Sequence, residues 1–147
     1  MRWVTCTRPK VAGIACAWLI TRFVDDSPEF LFVPVGAVSD VSRTSGAPPF
    51  DVPGAELSRH GNRSCFDALI EKFDLRSPAL ARLARVVRSD NAGWLDLRSD
   101  GVGLFSIPLA QSIEGLDDNE ILRRGLVVYD ALLGWISIAA RSRAQDY

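Results

Sequence analysis

The ten residues from Val11 to Ile20 carry no charge, and they constrain this chain more than any other stretch. Val11, Ile14, Ala15, Trp18, Leu19 and Phe23 keep the i, i+3, i+4, i+7 rhythm of a helix. Cys16, Ala17 and Ile20 cover most of the remaining circumference. A helix apolar nearly all round needs neighbours on several sides to bury it. Its flanks supply two of them. Trp3-Val4-Thr5 reads as a short strand, Pro9 suits the first turn of the helix, and Asp25-Asp26-Ser27-Pro28 ends it. Phe30-Leu31-Phe32-Val33 then reads as a second strand, stopped by Pro34. Strand, helix and strand in so short a span imply a βαβ unit with parallel pairing. The helix start near Lys10 then faces a crevice at the carboxyl end of the first strand, a usual seat for an anionic ligand.

The same run has the outline of a signal peptide, with Arg2, Arg8 and Lys10 ahead of it. It ends in Thr21-Arg22-Phe23, however, with no small-x-small cleavage site, and Cys16 comes too early for a lipoprotein box. Ten residues are also too few to span a bilayer. Three cysteines (Cys6, Cys16 and Cys65) at wide spacing make neither a disulfide scaffold nor a sulfur-rich zinc site. A cytoplasmic protein with no membrane partner is expected. Seventeen basic residues against eighteen acidic ones leave a net charge of −1, which opposes nucleic-acid binding.

Beyond Pro34, Val35 to Arg43 reads as a short helix, and Gly46 to Gly54 as a proline-rich loop with Phe50-Asp51-Val52 as an irregular or edge segment. Ser64 and Asp67 have capping-box spacing, opening a helix that ends near Leu75. Ser77-Pro78 opens the next, with Leu80, Leu83, Ala84 and Val87 inward and Arg82, Arg85 and Arg88 on the solvated side. Asp90-Asn91-Ala92-Gly93 marks a break, and Val102 to Ile113 reads as helical despite Pro108. Asp118 to about Arg141 is the strongest helix, with Leu122, Leu126, Tyr129, Leu133 and Ile136 on one stripe. That stripe serves a homodimer seam or an internal core equally well. With 147 residues and 48% apolar content, the expectation is one domain over residues 1–147. Its class is helix-rich α+β, with a small sheet that includes the N-terminal βαβ unit.

His60, the only histidine, sits in the polar loop Ser58-Arg59-His60-Gly61-Asn62-Arg63. It is either a surface loop residue or a general acid/base oriented by Asp67. Cys16 is either a small buried thiol or a nucleophile made reactive by a nearby cation. Arg22 falls near the core and demands a carboxylate, for which Asp25, Asp51, Asp67 and Asp130 are candidates. Asp130 is either that partner or an exposed edge of its helix. No spacing matches a metal motif, a phosphate loop or a hydrolase elbow, so no metal and no other cofactor are expected.

Several segments together resemble the C-terminal domain of the chromate-resistance (ChrB) family. They are Arg2-Trp3-Val4-Thr5, Arg8-Pro9-Lys10-Val11, Ile14-Ala15-Cys16-x-Trp18-Leu19-Ile20-x-Arg22-Phe23 and Phe30-Leu31-Phe32-Val33-Pro34. Pro49-Phe50-Asp51-Val52-Pro53-Gly54, His60-Gly61, Phe66-Asp67-Ala68-Leu69 and Val128-Tyr129-Asp130-Ala131-Leu132 follow in order. The resemblance implies a role in chromate resistance. Longer members carry an additional N-terminal regulatory region, so it implies the domain and not the regulator. Departures bear on mechanism. The family helix usually reads Asp-Arg-Ile-Ala-Cys-Pro-Trp-Leu-Ile, whereas Ala12, Gly13 and Ala17 stand here. The usual His-His-Gly is Arg59-His60-Gly61, and the following cysteine position holds Ser64, with Cys65 one step later. If those family residues form a metal or redox centre, this chain lacks several members of it, which favours a repurposed pocket.

Two readings remain open. In the first, slightly preferred, the chain is an enzyme acting on an anionic or carbonyl-bearing small molecule. His60 is the acid/base, Asp67 or Asp51 orients it, and Cys16 stands by as a thiol. Arg8, Lys10, Arg22 and Asp130 hold the substrate, while Trp18, Phe66 and Tyr129 wall the pocket. In the second, the chain is a non-catalytic sensor or binding module for a chromate-like oxyanion, and the arginines suffice.

Overall fold

A computed structural model of the chain describes residues 1–9, 11–91 and 115–145. Strand β1 (Arg2–Cys6) pairs in parallel with β2 (Glu29–Val33), in a register that sets Arg2 opposite Glu29 and Cys6 opposite Val33. Parallel neighbours need a crossover, and helix α1 (Val11–Leu19) supplies it, so the βαβ unit read from the sequence is present. The free edge of β1 is covered by the loop after α2: Val4 N donates to Pro48 O at 3.1 Å and Phe50 N to Val4 O at 3.0 Å. Phe50-Asp51-Val52 is therefore the irregular edge segment expected of it.

Every residue from Ile14 to Ile20 is buried, as a helix apolar all round requires. The helix does not run straight on to Phe23, however. Residues Ile20–Val24 form a π-turn, closed by Asp25 N donating to Ile20 O at 2.8 Å. This wider turn carries Phe23 out of the apolar stripe, leaving it 43% exposed, although its ring still meets Trp18 edge-on at 5.7 Å. A 3-10 turn (Val35–Ala37) leads into α2 (Val38–Ser45), which Gly46 stops in the left-handed conformation at φ 74°.

Helix α3 (Cys65–Lys72) opens on the Ser64–Asp67 capping box and stops short of Leu75, because Asp74 adopts a left-handed φ of 51°. Helix α4 (Pro78–Asn91) buries Leu80, Leu83, Ala84 and Val87, the stripe its periodicity demands. It runs through Asn91, past the expected start of the break. The rest of that break, and the helix expected over Val102 to Ile113, lie outside the described residues.

Helix α5 (Asp118–Gln145) is rotated from its sequence reading. The buried stripe is Ile121, Gly125, Tyr129, Leu132 and Ile136, with Leu122, Leu126 and Leu133 at its border. Gly125 explains the rotation. A Cβ there would overlap the Cγ2 methyl of Ile14, so the close approach of α1 to α5 at this point needs a residue without a side chain. The main core lies where α1 packs on α3, α4 and α5, and a smaller one joins Val4 to Val38, Ala47, Val52 and Ala55. The fold is a helix-rich α+β domain on a two-stranded sheet. Among the described residues, no helix is long and apolar enough to cross a membrane.

Candidate functional site

The sequence-predicted site residues fall into three groups around α1. The first lies at the start of that helix. Arg8 is held at a left-handed φ of 56° by two bonds to the segment entering α5. Its backbone N–H donates to Asp118 Oδ1 at 2.8 Å, and its Nη1 donates to Leu116 O at 2.6 Å. Asp51 also has a positive φ, 52°. Its carboxylate stands over Gly13: a Cβ on Gly13 would lie 3.0 Å from Asp51 Oδ2. Gly13 is one of the departures from the family pattern, and its missing side chain makes the room that Asp51 occupies. Lys10 lies outside the described residues.

The second group joins α1 to α5. Trp18, Phe66 and Tyr129, expected to wall a pocket, are buried in the core and meet ring to ring. The rings of Trp18 and Phe66 stack with centroids 6.3 Å apart and planes 4° apart, and Tyr129 tilts against Trp18 at 5.9 Å. Trp18 Nε1 donates to Asp130 Oδ1 at 2.8 Å, which satisfies an indole N–H that burial would otherwise orphan. Arg22 grips the same carboxylate with both arms, Nε to Oδ1 at 3.0 Å and Nη2 to Oδ2 at 2.8 Å. Of the four carboxylates considered for Arg22, Asp130 is its partner. Partial burial raises the Asp130 carboxyl pKa, but the bonds from Arg22 and Trp18 and the Arg22 charge outweigh that and hold it below the usual carboxylate value. The lock sits where the π-turn turns Arg22 toward α5.

The third group centres on α3. Asp67 Oδ2 accepts from Ser64 N at 2.9 Å and from Ser64 Oγ at 3.1 Å, while Oδ1 accepts from Arg88 Nη1 at 2.7 Å. Both oxygens are engaged, and the residue is buried. His60, by contrast, is exposed. Its Nε2 donates to Glu56 O at 3.2 Å, and its backbone exchanges bonds with Arg63 across a tight turn through Gly61 at φ 62°. The hydrogen bonds of Asp67 thus run to Ser64 and Arg88, and the ring bond of His60 runs to Glu56.

Cys16 and Cys65 meet where α1 crosses the start of α3, both buried. Cys65 Sγ donates to Leu57 O at 3.1 Å. Burial pushes the Cys16 thiol well above its ordinary pKa, helped by a hydrogen bond with Cys65 and by the negative charges of Asp51 and Asp67. A thiol so held stays protonated and is a poor nucleophile. Among the described residues, no cluster of three or more histidine, cysteine or acidic side chains is placed to hold a metal ion.

Three contributors escaped the sequence reading. Arg88, expected on the solvated side of α4, reaches back to Asp67; the need of a buried carboxylate for a cation is the available signal. Asp25, read as a helix stop, accepts from Trp3 Nε1 at 2.9 Å and faces the N-terminal amine at 3.2 Å. The Trp3 bond foremost holds its carboxyl below the usual range against the opposing desolvation, with help from Ser27 N–H and the N-terminal amine. Gly125 carried no apolar signal at all.

Comparison with known proteins adds two matches. The family model described as ChrB, C-terminal domain, matches residues 3–136. Protein ChrB of Cupriavidus metallidurans is 34% identical over 123 residues, a span covering 82% of this chain and 36% of that protein. The chain thus spans about a third of the length of the curated relative it matches. No solved structure matches significantly.

Proposed function

Because the chain belongs to the ChrB C-terminal domain family, we propose that it serves chromate resistance as a non-catalytic domain that binds an oxyanion. What supports this over acid/base catalysis is the commitment of the groups such catalysis would need. The Asp67 carboxylate is filled by its helix cap and by Arg88, so it is poorly free to orient a base. The Cys16 thiol is buried and held protonated. His60 stands on the surface, its ring tied to a backbone carbonyl.

Binding asks less of the chain. The seat we favour is the start of α1, where backbone N–H groups and the helix dipole attract an anion. Arg8 keeps N–H donors beyond the one on Leu116 O, since a guanidinium has five, and Lys10, close by in sequence, is the second candidate cation. The same reading puts the chain in the cytoplasm, where Cys6, Cys16 and Cys65 remain thiols.

Calorimetric titration of the purified chain with chromate, and separately with sulfate and phosphate, tests the proposal. Saturable chromate binding at one site is expected, weakened at least about tenfold by Lys10→Ala, as loss of a charged hydrogen bond implies. Absence of binding by all three anions up to millimolar concentration would overturn it. So would binding indifferent to both Lys10→Ala and Arg8→Ala.

A further inference from the structure

Helix α5 carries a second apolar stripe, separate from the one that faces the core. Val127, Ala131, Trp135 and Ile138 follow one another at helical spacing and are all exposed. Val127 is 67% exposed, Trp135 61% and Ile138 59%. At about 100° per residue these positions lie roughly opposite Ile121, Tyr129 and Ile136. A tryptophan standing in water between two aliphatic side chains on a long helix is a marker of association, because single exposed apolar residues are ordinary but an ordered row is not.

We infer that this face of α5 pairs with the same face of a second copy of the chain, the two helices running antiparallel about a two-fold axis beside Ala131. Three observations select that occupant and that orientation. The centre of the stripe is self-complementary about Ala131: Val127 and Trp135 lie four residues to either side, so each Trp135 meets Val127 of the other copy. Ala131 at the axis and the exposed Gly134 beside it are small, which lets the backbones approach while the tryptophans lie over the flanks. The charges also alternate correctly. Glu120, already paired with Arg123 and Arg124 of its own helix, lies at the amino end of the stripe and Arg141 flanks its carboxyl end, so antiparallel pairing adds Arg141 of the other copy to each Glu120 cluster. Parallel pairing would set Arg141 beside Arg141 and align the helix dipoles unfavourably.

The stripe from Val127 to Ile138 is about 16 Å long at the usual rise of 1.5 Å per residue. A stable dimer buries roughly 800 Å² on each partner. This row of side chains supplies only part of that, so the dimer forms and dissociates with concentration instead of being permanent. The pairing is independent of whether the domain binds an oxyanion.

Sedimentation velocity over a concentration series, nanomolar to hundreds of micromolar, tests the inference. A reversible monomer–dimer equilibrium is expected, with Trp135→Glu raising the dissociation constant at least about tenfold, as loss of a central aromatic anchor does. Because Trp135 is exposed, that variant keeps its circular dichroism. Glu120→Arg and Arg141→Glu should each weaken the dimer, and the double exchange should restore it. A chain monomeric throughout would overturn the inference, leaving the stripe to another occupant. A dimer that survives Trp135→Glu would overturn it too, and a failure of the double exchange to rescue would overturn the antiparallel geometry.

Discussion

Replacing Gly125 by alanine tests the closest approach in the fold. The added methyl would overlap the Cγ2 methyl of Ile14 and lie 3.5 Å from Ile14 Cβ. Two effects of opposite sign compete. Alanine in a helix interior is favoured over glycine by about 1 kcal/mol. Overpacking a filled core costs about 1–3 kcal/mol. Ile14 is fully buried, flanked along α1 by residues as buried as itself, so the clash is expected near the upper end of that range. The net loss is then about 2 kcal/mol, and at about 2–4 °C per kcal/mol for a chain of this size the Tm should fall by roughly 4–8 °C. Gly134 on the same helix is the internal control. A Cβ there meets nothing within 4 Å, so Gly134→Ala in dilute protein should gain about 0.5–1 kcal/mol. Urea unfolding followed by tryptophan fluorescence reads both. In an Ile14→Ala background the obstacle is gone, and Gly125→Ala should become neutral or stabilising. Equal losses in the two backgrounds, or no loss with Ile14 present, would refute the close approach of α1 and α5.

Asp130→Ala should cost about 1–3 kcal/mol by leaving the buried indole N–H of Trp18 without an acceptor, whereas Asp130→Asn keeps an acceptor and should cost less. The Asp130 carboxyl is held below its ordinary pKa, so its stabilising contribution is present above the unfolded value and is lost as pH falls through the folded one. The wild-type advantage over Asp130→Asn, measured by urea unfolding, should therefore shrink below about pH 4. Ser64→Ala removes one half of the α3 capping box and should cost about 1 kcal/mol. Asp67→Ala should cost more, since it also leaves Arg88 without its carboxylate. With a thiol-specific disulfide reagent, native protein should release one equivalent readily, from partly exposed Cys6. Cys16 and Cys65 should react only on unfolding, and fast release of all three would contradict their burial.

What was legible in the sequence depended on short-range pattern. The βαβ unit could be read because an uncharged run between two strands has few places to go. The α3 start was visible as Ser64 and Asp67, three residues apart, and the α4 stripe as Leu80, Leu83, Ala84 and Val87. The illegible features depend on distant partners. The π-turn serves a bond between Arg22 and Asp130, 108 residues apart, which no local periodicity encodes. The face of α5 was misjudged because apolar periodicity counts side chains, and the contact with Ile14 is made by a residue that has none. His60 drew attention by chemistry alone; its loop is exposed, and its ring is held by Glu56.

A non-catalytic role is tested most directly by incubating the chain with a large molar excess of chromate and a thiol reductant, then recovering the anion. Chromate consumed no faster than in the protein-free control, with bound anion released intact on unfolding, is the expected result. Many equivalents of chromate converted per chain, with the excess rate lost in His60→Ala, would contradict it and restore the acid/base reading.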